Sequence, residues 1–163
     1  MKFIADGMLG KLVRWLRLFG QDVTYIGDFS VDPKEEDDVL LNRAEKESRI
    51  LITRDTDLHR RALRESIESV LIEETQDVAK QLVKVSKSIG EPIRGDIEDS
   101  RCSVCNGKLK VAEKTSISEE VPDPVLKENE RFWKCVDCGK IYWVGGHWEN
   151  MAETIKRYEN LKG

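Results

Sequence analysis

The chain has 163 residues, 39% of them hydrophobic and 36% charged, with a formal net charge of −4. This length suits one ordinary domain or a small domain with an appendage, and so balanced a charge neither indicates nor excludes nucleic acid, because a basic stripe can coexist with an acidic cluster. No apolar run approaches the ~20 residues needed to span a bilayer, and the start, MKFIADG, lacks the h-region of a signal peptide, so a cytoplasmic protein with no membrane partner is expected.

Phe3, Ile4 and Ala5 make a short first strand that ends in Asp6 and Gly7. Leu9, Leu12, Val13, Leu16 and Phe19 then recur at helical spacing, with Lys11, Arg14 and Arg17 on the other side and Gly20 as the stop. Trp15 and Leu18 fall on or beside that basic face, and an aromatic among cations suits phosphate contacts and base stacking. Residues 23–26 alternate as a second strand, followed by the turn-rich loop GDFSVDP. Glu35, Glu36, Asp37 and Asp38 open a second helix ending near Ser48, with acids in the first turn as the helix dipole prefers.

Ile50, Leu51 and Ile52 form a continuous apolar run bounded by charge, which reads as a strand buried on both faces of a parallel sheet. Thr53, Arg54, Asp55 and Asp57 stand just past its end. His59, Arg60, Arg61 and Arg64 lie on a short third helix, and residues 70–72 make a fourth strand. Thr75 can cap a last helix carrying Val78, Leu82 and Val85 at i, i+4 and i+7. The β-α alternation indicates a mostly parallel sheet covered on both faces.

Periodicity disappears over residues 90–100, GEPIRGDIEDS, which reads as a linker and divides the chain into units 1–95 and 96–163. Beyond it, Cys102-x-x-Cys105 and Cys135-x-x-Cys138 are separated by 29 residues, and each pair runs into a strand-like segment, 108–111 and 141–144. Four thiolates so spaced can form a tetrahedron around Zn²⁺, closed to catalysis. In a ribbon of roughly 45 residues the metal would supply much of the folding free energy. Redox dithiols or an iron site are the alternatives. The intervening VPDPV reads as irregular and the tail from Trp148 as helical.

In open α/β sheets ligands bind beyond the carboxyl ends of the strands. Asp6, Asp55 and Asp57 all fall there, and carboxylates gathered at one edge repel unless a divalent cation neutralises them, for which Mg²⁺ or Mn²⁺ suits oxygen ligands. Such ions could activate water for attack on a phosphodiester. Each Asp could instead cap a helix. A fourth acid could come from the second helix, as Asp37 or, second, Asp38. Thr53 could orient a water or phosphate, or simply end the strand. Lys11, Arg14, Arg17 and Arg54 could hold RNA phosphates or be ordinary solvated surface. Gly7 to Lys11 fails the phosphate-loop spacing, there is no G-x-G-x-x-G or G-x-S-x-G, and His147 reads as a packing or hydrogen-bonding residue.

DGMLGKLVRWLRLFG, Asp37-x-x-Leu40 leading to Ala44, RILITRD, RCSVCNGKL and CVDCGKIYWVGGHW together resemble the Mut-seven C-terminal RNase-domain family, over residues 2 to about 151. That resemblance implies a PIN-like three-layer α/β/α fold with a zinc ribbon, and metal-dependent RNA cleavage with Asp6, Asp37, Asp55 and Asp57 at the metal site. PIN-like folds often pair, so a homodimer is possible, although Trp15 could equally face another protein. A non-catalytic RNA-binding or adaptor module and a phosphotransfer domain are the competing readings.

Overall fold

Four short strands organise the first part of the chain: β1 (Lys2–Ala5), β2 (Asp22–Tyr25), β3 (Ile50–Thr53) and β4 (Ser69–Leu71). They pair in parallel in the order β2-β1-β3-β4. The structure is a computed structural model that describes residues 1–95, 97–144 and 146–163, with backbone alone at 97 and 146–150. The side chain of His147 therefore lies outside the described residues.

Helices α1 (Gly10–Leu18), α2 (Glu36–Glu47) and α3 (Thr56–Arg64) make the three crossovers, and α4 (Val78–Ile89) follows β4. The step from β1 to β2 runs one way along the sheet and the next two run the other way. Right-handed crossovers then require α1 on one face and α2 with α3 on the opposite face. The pleat agrees. Phe3, Ala5, Val23 and Ile52 pack with Leu12, Leu16, Leu82 and Val85, whereas Ile4 and Leu51 pack with Leu40, Leu41, Ala44, Leu58 and Ala62. The fold is thus the expected α/β/α arrangement around a four-stranded parallel sheet.

Two local expectations change. The fourth strand begins at Ser69, and α4 is capped by Asp77, whose extended backbone lets its carboxylate accept from the Ala79 N–H. Thr75 instead receives the Asp77 N–H at 3.1 Å.

The second part is an antiparallel sheet of β5 (Leu109–Ala112), β6 (Phe132–Cys135) and β7 (Ile141–Trp143). Between β5 and β6 lie α5 (Lys114–Ile117) and α6 (Asp123–Glu128), and the latter begins inside VPDPV, which was expected to be irregular. Pro124 is accommodated in the first turn of α6, where its missing N–H has no helical partner to lose. Ile117, Val121 and Phe132 form a small core of their own. Helix α7 (Gly146–Lys162) returns to the first sheet. Tyr158 is fully buried in that sheet's core, its hydroxyl accepts the Ile93 N–H at 2.9 Å, and its ring meets Phe19 edge-on at 5.9 Å. The helix placed by sequence with the ribbon therefore completes the core of the first unit. Among the described residues no helix is long and apolar enough to cross a membrane.

Arg17 corrects the reading of α1. It was expected on the RNA-facing surface, but it is 3% exposed. Its Nε and Nη2 donate to the Val23 carbonyl, its Nη1 to the carbonyls of Ser103 and Val104, and Nη2 also pairs with Asp28 at 3.1 Å. The Val23 N–H donates to Asn106 Oδ1 at 3.0 Å, so both outward backbone groups of Val23 on the edge strand are covered. Asn106 also donates to Asp22, which binds Arg49 as well. Burial pushes the Asp22 carboxyl up, but the hydrogen bonds from Arg49 and Asn106 outweigh it and hold it below the usual carboxylate range.

Arg17→Ala is expected to lower stability by about 3 kcal/mol or more, because several buried carbonyls lose a charged donor at once. Lys11→Ala, on the exposed side of the same helix, should stay within about 0.5 kcal/mol. Urea midpoints for the two variants test this, and equal midpoints would remove Arg17 as the joint between sheet and ribbon.

Candidate functional site

β1 leads back to one side of the sheet and β3 onward to the other, so the connections diverge between their carboxyl ends. That divergence leaves the crevice in which open α/β sheets bind ligands. Asp6 leaves β1 and Asp55 follows β3 on opposite lips of it. The Asp6 N–H donates to the Ile52 carbonyl at 3.3 Å, which sets Asp6 beside Thr53.

Three donors then fix the Asp6 carboxylate. Fully buried Thr53 donates from Oγ1 to Oδ2 at 2.5 Å, the Arg54 N–H reaches the same oxygen at 3.1 Å, and the Met8 N–H reaches Oδ1 at 3.0 Å. Asp6 is accordingly only 9% exposed. Thr53, read from sequence as a residue that orients water or phosphate, orients this carboxylate and also accepts the Asp55 N–H at 3.0 Å. The Asp55 side chain divides its duties. Oδ1 caps α3 by accepting from the N–H groups of Asp57 and Leu58, while Oδ2 accepts no hydrogen bond among the described residues.

Asp37 and Asp38 separate by their partners. Asp38 is held by Arg61 at 2.7 Å. Asp37 has its carboxyl raised above the ordinary range by partial burial and then by the negative charges of Asp55, Asp38 and Asp6, with Arg61 acting the other way. Asp37 therefore sits in the field of the two strand-end acids. Asp57 stands exposed in the first turn of α3.

Among the described residues, the group of three or more side chains placed closely enough to hold a metal ion directly is that of the four cysteines. Mg²⁺ keeps several waters and takes one or two carboxylates directly, so it needs no such close cluster. The donor set, hard oxygens crowded enough to raise Asp37, fits such a cation.

Around this crevice Lys11 and Arg14 are exposed on α1 and Arg54 is half-buried. Trp15 turns partly inward and meets Phe19 edge-on at 6.2 Å. Two neighbours escape sequence reasoning. Met8 is 71% exposed immediately after the Asp6 loop begins, and the Tyr25 hydroxyl donates to the Gly7 carbonyl at 2.8 Å. No local pattern could reveal a contact between residues 18 apart in the chain.

The cysteines converge. Cys102 and Cys138 have their sulfurs 3.7 Å apart and Cys105 and Cys135 3.4 Å apart, and all four lie within 4.8 Å of one another. A Zn–S distance of about 2.3 Å implies sulfur separations of about 3.8 Å in a tetrahedron, so the set could hold Zn²⁺. Backbone N–H groups of Gly107 and Cys138 point at Cys105 and Cys135. Burial raises the Cys102 thiol, but the Tyr142 hydroxyl and the N–H groups of Cys105 and Val104 outweigh it and bring it down to about 7, favouring the thiolate a metal needs. At Gly107 a Cβ would lie 2.7 Å from Cys135 Sγ and 2.6 Å from Asp137 Oδ2. Only a residue without a side chain lets this backbone approach the cluster.

Co²⁺ titration of the reduced protein should therefore give the intense thiolate-to-metal absorption of a tetrahedral four-sulfur site at one ion per chain. Gly107→Ala should weaken binding, and an unchanged titration curve would show that the close backbone approach is irrelevant to the metal.

Comparison with curated proteins and with solved structures returns no match. A family model described as the Mut7-C RNAse domain matches residues 1–155, which takes in the parallel sheet, the ribbon and most of α7. Because that match runs through both the acidic crevice and the cysteine cluster, the chain belongs to the Mut7-C RNAse domain family.

Proposed function

We propose that this protein is a metal-dependent ribonuclease that hydrolyses RNA phosphodiester bonds at Asp6, Asp37, Asp55 and Asp57, with Mg²⁺ or Mn²⁺ bound there and Zn²⁺ in the ribbon. The observation behind this reading is the meeting of Asp6 and Asp55 across the divergence of β1 and β3, with Asp37 charged against both. When bound, a divalent cation supplies an activated water and stabilises charge on the phosphate under attack.

The chain's own residues prepare for this. Thr53 and the N–H groups of Met8 and Arg54 hold Asp6 in one orientation, so no side-chain ordering is needed when a ligand arrives. Asp55 is anchored through Oδ1 and presents Oδ2. Lys11, Arg14 and Arg54 supply positive charge for RNA phosphates, and Arg17 is withdrawn from that role by its burial. The ribbon covers the β2 edge and extends the surface open to RNA. One observation favours the alternative of a non-catalytic RNA-binding module, namely that Asp6 and Asp55 both accept helix-capping hydrogen bonds.

The test is cleavage of a labelled mixed-structure RNA with Mn²⁺, with EDTA, and by variants. Thr53→Val, which removes only an outer partner of Asp6, should cost roughly 10- to 100-fold, and Asp55→Asn should cost more. Asp37→Asn should be severely impaired and Asp38→Asn close to wild type. Because the Asp37 carboxyl is raised in the metal-free protein, it stays protonated to higher pH than an ordinary carboxylate, so affinity for Mn²⁺ should climb as pH rises through that raised value. Intact RNA throughout, from folded zinc-loaded protein, would favour the binding module.

A further inference from the structure

A cleft of about 400 Å³ opens between the outer edge of β2 and the Cys102-to-Cys105 knuckle, within the size range of small-ligand sites. Its sheet side is formed by Thr24, Tyr25 and Phe29, and its ribbon side by Val104 and Asn106. Phe29 and Val104 are 43% and 53% exposed, so an aromatic ring and an aliphatic side chain from the two units border one concave space. The Arg43 guanidinium covers one face of the Phe29 ring at 4.4 Å and does not line the cleft, so a base would stack on the ring's other face. Asp28 also lines the cleft, but its carboxylate is paired with Arg17.

Tyr25 connects this cleft to the acidic crevice. Its ring fills the space in front of Gly27, where a Cβ would lie 2.4 Å from it, and its hydroxyl holds the Gly7 carbonyl next to Asp6. One tyrosine is thus both a wall of the cleft and a support of the loop that bears Asp6.

We infer that the cleft between β2 and the Cys102-to-Cys105 knuckle is a subsite for an unpaired nucleobase of single-stranded RNA, stacked on Phe29 with an adjoining phosphate near Arg43. The inference rests on the ribonuclease reading for its substrate class and adds the course of the strand, which leaves the crevice over Tyr25 towards the ribbon. A base inside a duplex cannot enter such a recess without unpairing, so single strands are selected. A flat aromatic ring with a nearby guanidinium is the recurrent platform for an unpaired base.

Binding of a fluorescently labelled single-stranded oligoribonucleotide, in buffer without Mg²⁺ or Mn²⁺, tests the subsite separately from cleavage. Phe29→Ala should weaken binding roughly 5- to 100-fold, the range of one lost base stack, while Phe29→Trp should retain it. Val104→Asp, a change at an exposed side chain lining the cleft, should also weaken binding, with circular dichroism and metal content unchanged, and it decides alone should Phe29→Ala fail to fold. The corresponding duplex should bind more weakly and respond to neither variant.

Affinities of Phe29→Ala and Val104→Asp within twofold of wild type, or no binding of single-stranded RNA by wild type, would overturn the subsite. Asp55-dependent cleavage together with unchanged binding in the variants would sink the subsite and leave the nuclease standing. Variant-sensitive binding without any cleavage in Mn²⁺ would do the reverse.

Discussion

The parallel pairing of β1 with β3 is the constraint from which the rest of this molecule follows. Chain order alone would seat β2 between them, but β2 lies on the far side of β1. This placement sends the first crossover one way along the sheet and the next two the other, and their common handedness then covers both faces with helices. It also brings the residues that leave the two central strands side by side. The hydrogen bond from the Asp6 N–H to the Ile52 carbonyl is a continuation of the ladder, and it delivers Asp6 to Thr53.

At that junction a few donors hold the strand-end carboxylates in place. A carboxylate at the mouth of a parallel sheet must find donors, and Asp6 finds them in a buried hydroxyl and two backbone N–H groups. Asp55 finds its donors in the first turn of α3 through one oxygen only. Capping therefore leaves one oxygen of Asp55 uncommitted, because both capping bonds fall on Oδ1. Asp37 records the electrostatic consequence: its ionised form is disfavoured by burial and by the acids it faces, a disfavour that a divalent cation would relieve.

The ribbon is tied to this sheet by backbone need as much as by side-chain attraction. Edge strand β2 leaves the N–H and C=O of Val23 facing outward, and Asn106 and Arg17 satisfy them from either side. Arg17 simultaneously binds two carbonyls of the cysteine knuckle, so one guanidinium joins helix, sheet edge and ribbon. Fixing the knuckle against β2 creates the cleft beside Phe29, and α7 closes the chain back onto Phe19 through Tyr158.

The sequence by itself determined the elements whose causes are local. The apolar run Ile50 to Ile52, the helical spacing of Leu9 to Phe19, the acids opening α2 and the two C-x-x-C pairs each express a short-range rule of burial, periodicity or ligand spacing, and each element stands within a residue or two of its expected place. The tertiary structure decided what depends on partners far along the chain. Arg17 reads as one more cation on a basic helix face until β2 and residues 103 and 104 arrive to bury it. Asp37 and Asp38 are equivalent as letters, and only the approach of α3 gives Arg61 to one and Asp55 to the other. Pairings of this kind are set by the order of strands in the sheet, which no periodicity along the chain encodes.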